Sequence, residues 1–105
     1  MTGIVVEVGP ATVRGPNHAD AEWVSAGIDG IDDELTLIDD RPVEVADVWR
    51  RIMHDVVGGF AKTIVVVCPT WWSSSRVERV RDAASTLAND VVLGATGAGA
   101  SRRTI

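Results

Sequence analysis

The sequence holds a single cysteine and a single lysine, has fewer basic than acidic residues, and contains no apolar run of membrane-spanning length. Lone Cys68 excludes an intrachain disulfide framework and cannot by itself build a Cys-rich zinc site; a reducing cytoplasm fits such usage. Ten basic against fifteen acidic residues give a formal charge of −5. Polyanions are bound by clustered Lys and Arg, so this balance argues against nucleic acid as the main partner. No segment approaches the roughly eighteen continuous apolar residues of a membrane span, and MTGIVVEVGP lacks the basic start and apolar core of a signal peptide. Membrane insertion is therefore not expected.

Several catalytic and metal-binding patterns are also missing. GATGAGAS, residues 94–101, is rich in glycine but has no GK[ST], and no Gly-x-Gly-x-x-Gly follows the first apolar run, so a flexible end segment over 94–105 is the better reading. The acidic residues Asp29, Asp32, Asp33, Glu34, Asp39 and Asp40 do not have the spacing of an EF-hand and read as a solvated loop. His18 and His54 have no second ligand at metal-site spacing, and no metal is expected. Ser73, Ser74 and Ser75 lack the G-x-S-x-G elbow, and Cys68 lacks a nearby group to activate it, so no catalytic residue is assigned.

What is present at 105 residues and 46% hydrophobic content is enough for one small domain, placed at 1–93. IVVEV (4–8) stops at Gly9-Pro10, and a short strand is expected at 12–14 before Gly15-Pro16. Residues 17–34 mix a weak helical pattern around Trp23 with a possible strand at 23–26. LTLI (35–38) reads as a strand, with a turn at Asp39-Asp40-Arg41-Pro42. Val45, Val48, Trp49, Ile52, Met53, Val56 and Val57 then recur at helical spacing, and Gly58-Gly59 ends that helix. TIVVV (63–67), apolar on both faces, predicts a central strand parallel to the first with layers on each side. Ser75 followed by Glu78 predicts a capping box opening a helix to about residue 87, with Val77, Val80, Ala84 and Leu87 buried and Arg76, Arg79 and Arg81 facing outward. VVL (91–93) predicts a last strand. A meander followed by β-α-β-α-β implies an α/β domain with a mixed sheet and helices packed on it.

This order resembles the N-terminal lobe of the actin, Hsp70 and sugar-kinase superfamily, a ribonuclease H-like fold. VVEVGPATV is similar to its first phosphate loop, and IVVVCPTWWSSSRVERVRDAAS to the Hsp70 segment in which a strand meets a proline, small and aromatic residues, and an arginine-bearing helix. EVGPATVRG, IDDELTLIDDRPVEVADVWR and CPTWWSSSRVERVR together resemble the N-terminal region of an actinobacterial type VII secretion-associated family whose members are longer. The resemblance implies a front piece of a longer protein, one that acts through protein contacts. Under the alternative it implies half of the Mg-ATP site of an actin-like ATPase, with Glu7 and Gly9 binding the cofactor. The pattern departs where Glu7 replaces the loop's Asp and Pro10-Ala11 replace its hydroxyl residues. Proline removes an N–H donor from a loop that presents donors to phosphate, so ATP hydrolysis by this chain is not expected.

Two readings stay open for Trp71 and Trp72. Adjacent side chains in a strand-to-helix turn cannot easily share one core, so one indole is expected inside and one at the surface. Pure core packing is one account. The other is an interface, with Trp71, Trp72, Arg76 and Arg79 contacting secretion machinery or the protein's own C-terminal part. Apolar surface left by a missing part further predicts self-association.

Overall fold

The computed structural model describes residues 3–95. Strand β1 (Gly3–Val8) alternates as a half-buried strand should: Val6 and Val8 are buried, while Val5 and Glu7 are exposed. The Gly9 N–H donates to the Thr12 carbonyl at 2.7 Å and closes the turn into the short antiparallel strand β2 (Val13–Arg14).

Residues 23–26 are helical, not a strand. They lie in α1 (Ala21–Asp29), which begins where the Asp20 carboxylate accepts from the Glu22 N–H. Its C-terminal carbonyls are satisfied by tertiary partners. The Thr36 hydroxyl donates to the Ala26 carbonyl at 3.1 Å, and the buried Trp49 Nε1–H to the Gly27 carbonyl at 2.9 Å. Gly27, a helix breaker by sequence, is tolerated because α1 lies so close to its neighbour: an added Cβ would sit 2.8 Å from Ile52 Cδ1.

Strands β3 (Leu35–Ile38) and β4 (Arg41–Glu44) form a hairpin whose two linking residues, Asp39 and Asp40, both have positive φ, at 52° and 62°. That conformation suits a two-residue hairpin turn, and Asp enters it more readily than most residues. The hairpin is a separate two-stranded sheet, so the expected meander contributes only β1 and β2 to the main sheet.

Helix α2 (Val45–Val57) buries all seven residues of its predicted stripe, and Gly58 caps it at φ 83°. After it come β5 (Ala61–Cys68), α3 (Ser74–Ser85) and β6 (Ala88–Ala95). The main sheet has the order β2-β1-β5-β6, with β5 parallel to both β1 and β6, which makes it mixed. The domain is thus α/β, with three helices and a mixed sheet. Gly94 and Ala95 belong to β6; the rest of the end segment expected at 94–105 lies outside the described residues.

Both crossovers step the same way across the sheet, from β1 to β5 and from β5 to β6, and right-handed connections of that kind lay their helices on one face. Helices α2 and α3 pack together, sharing one core with Val6, Val8, Ile64 and Val66. The layer expected on the other side of β5 is absent among the described residues. There, register aligns Val5, Val65 and Val92 in a row across three strands, with Val5 58% and Val92 50% exposed.

Candidate functional site

The junction between β5 and α3 is built from Pro69 onward. The Trp72 N–H donates to the Pro69 carbonyl at 3.2 Å, a tight turn that sends the two indoles in different directions. Trp72 enters the core, whereas Trp71 stands 69% exposed. The cap of α3 differs from the sequence expectation. Ser73, not Ser75, is the N-cap and accepts from the Arg76 N–H, while Glu78 pairs with Arg81. With Ser73 as N-cap, Arg76 occupies the third helical position, where a capping box would need Glu or Gln.

Arg76 joins the junction to the rest of the domain. Its Nε lies 2.9 and 3.1 Å from the two Asp32 carboxylate oxygens and its Nη2 2.5 Å from one of them, while its guanidinium carbon sits 5.7 Å from the Trp72 ring centroid. Two-point hydrogen bonding and stacking together suit a planar guanidinium and no other side chain. The Asp32 carboxyl is held below its ordinary value, first by the Arg76 hydrogen bonds and also by the positive charges of Arg76 and Arg79. Asp32 lies 44 positions away in the acidic loop, and no local pattern in the sequence singles it out.

Arg79 lies one turn along α3 from Arg76. It lines a groove of about 430 Å³ with Ala46, Arg50, Ser75, Glu78 and Asp82, and an adjoining hollow with Glu34, Leu35 and Glu44. Four carboxylates around two guanidinium groups make this surface unfavourable for phosphate and suited to a polar peptide. Arg79 is linked to the junction through Asp32, whose carboxylate feels its positive charge; neither Trp71 nor Arg76 lines the groove or the hollow.

Glu7 and Gly9 lie at the C-terminal end of β1, which the parallel register with Val67 places at the same end of the sheet as the β5–α3 junction. Glu7 is exposed. The loop beyond it fits phosphate poorly, because the Gly9 N–H is taken by Thr12 and Pro10 has none. Cys68 is buried, and desolvation pushes its thiol up to about 11, the opposite of nucleophile activation. His54 and His18 are exposed, with His54 Nδ1 3.6 Å from Asp55. Among the described residues no three His, Cys, Asp or Glu side chains converge on a point that could hold a metal ion, and no helix is long and apolar enough to cross a membrane.

Comparison with protein-family models, with curated proteins and with solved structures gives no match to this chain.

Proposed function

We propose that this chain is a non-catalytic protein-interaction module associated with type VII secretion in the cytoplasm, a degenerate actin- or Hsp70-like lobe with a ribonuclease H-like sheet. The observation that carries the reading is the exposed Trp71 on a junction fixed by the Arg76–Asp32 ion pair. A large aromatic held at the surface is a common interface anchor, and a preorganised one loses little entropy on binding. The parallel β1-β5-β6 core with β2 antiparallel at its edge supports the ancestry; the α1 and hairpin excursion is a departure from it. The depleted donors of the Gly9-Pro10 loop support loss of catalysis.

The rival reading, half of a Mg-ATP site in a longer actin-like ATPase, draws on exposed Glu7 at the C-terminal end of a parallel strand, where ligands of open α/β sheets bind. Two measurements separate the readings. Photo-crosslinking from position 71 in cells that carry the secretion locus should capture a protein encoded there, and capture of none of them overturns the module reading. Calorimetry with Mg-ATP should give no heat; micromolar binding weakened by Glu7→Ala would establish the rival.

A further inference from the structure

Strand β6 is an eight-residue edge with no partner on its outer side among the described residues. Edges are ordinarily blunted by shortness, Pro, Lys or a bulge. The opposite edge, β2, has only two residues, and hairpin strand β4 carries Arg41 and Pro42. β6 reads ANDVVLGA, with one charge and neither Pro nor Lys. Every second residue of such a strand turns its N–H and C=O outward, ready to pair.

The side chains show what kind of occupant fits. Val92 points to the uncovered face in the Val5–Val65–Val92 row, while Leu93 shares the helix-covered side with Val6 and Val66; yet they are 50% and 42% exposed. A layer lying on the open face would cover Val92 and leave Leu93 in water. Only a strand added alongside β6 covers both.

We infer that β6 pairs antiparallel with β6 of a second copy about a twofold axis through Val92, making one continuous eight-stranded sheet. The strand is self-complementary in that register. Val92 meets its own counterpart and prolongs the valine row, Val91 meets Leu93 on the helix side, and Asp90 meets Gly94, so no like charges face each other. An axis perpendicular to the sheet keeps all helices on one side. This surface involves none of the Trp71 site, so either assignment can fail without the other.

Sedimentation velocity on the whole chain tests the pairing, with wild type, Val92→Lys, Gly94→Lys and Gly94→Asp run over roughly a hundredfold concentration range. Wild type should pass from monomer to dimer. Val92→Lys places two ammonium groups together at the axis and should raise the dimer Kd at least about tenfold. Gly94→Lys should lower Kd by facing Asp90, and Gly94→Asp should raise it. An added Cβ at Gly94 comes no nearer than 3.6 Å to a Val67 methyl, so these variants fold even if Val92→Lys does not. A monomer at every concentration overturns the inference, as does a dimer that responds equally to Gly94→Lys and Gly94→Asp.

Discussion

Arg76 holds Asp32 through both carboxylate oxygens across 44 residues of sequence, tying the start of α3 to the loop that follows α1. Both groups reach solvent, so the pair contributes position more than stability. It fixes the start of α3, next to the turn that carries Trp71, and it keeps the Arg76 guanidinium over Trp72.

The Asp32 carboxyl should therefore titrate below its ordinary value of 3.8. A carboxylate depressed in the folded state adds stability above its unfolded pKa, and that stability is lost as pH falls through the folded value. The loss should begin only below about pH 4. Carboxyl NMR titration reads this directly, and Arg76→Ala should return Asp32 toward 3.8. An Asp32 that titrates normally in wild type would show that the ion pair does not persist in solution.

The adjacent tryptophans should separate in stability measurements. Trp71→Ala removes an exposed ring and should change unfolding free energy by no more than about 0.5 kcal/mol. Trp72→Ala empties a core position and should cost about 3 kcal/mol or more. Urea denaturation of both variants checks the contrast. A large loss at Trp71 would mean that this indole is packed, and would remove the argument for an interface there.

Sequence reading reached the elements whose signals are local. The α2 stripe, Gly58 as its cap and the β1 and β5 strands all follow from spacing within a few residues; that Trp71 and Trp72 should part follows too, but which of them is buried does not. Helix α1 was obscured because Gly27 and Gly30 look like breakers, and their tolerance depends on Ile52, Thr36 and Trp49 arriving from elsewhere. Three consecutive serines each offer a hydroxyl, and only the turn at Pro69 selects Ser73 as the cap. The apolar faces of β5 suggested two covering layers; hydrophobicity records that a face avoids water, not what covers it. Asp32 was one acid among six, and its pairing is a property of the folded chain alone.

Cys68 should be nearly inert. Its side chain lies at the end of β5 with 2% of the residue exposed, and burial pushes the thiol up to about 11 from 9.0. An acid whose folded pKa is raised adds stability below its unfolded value, and that stability is lost as pH climbs through the folded one. Stability should therefore decline between about pH 9 and pH 11 as thiolate formation favours the unfolded chain. A thiol-reactive dye at pH 8 should label only through opening of the native state, at a rate that rises with denaturant. Rapid stoichiometric labelling without denaturant would show that the β5 end opens readily.

Trp49 should matter more through its nitrogen than its position on a helical stripe suggests. The buried Nε1–H at 2.9 Å from the Gly27 carbonyl supplies a donor to the C-terminal turn of α1, at a position where an added Cβ would meet Ile52 of α2 at 2.8 Å. Trp49→Phe keeps an aromatic ring and most of the apolar contact, yet it leaves that carbonyl unpaired at a helix end, where intrahelical donors have run out. An unsatisfied buried acceptor costs roughly 1–3 kcal/mol, and the smaller ring adds a packing loss, so a total of about 2–4 kcal/mol is expected. Hydrogen exchange distinguishes the two contributions. Loss of the bond should selectively raise exchange in α1 while β5 amides continue to report global unfolding, whereas a pure packing loss in the shared core should raise both together. A change below about 0.5 kcal/mol would place the Trp49 bond among dispensable contacts and leave the α1 position to apolar packing alone.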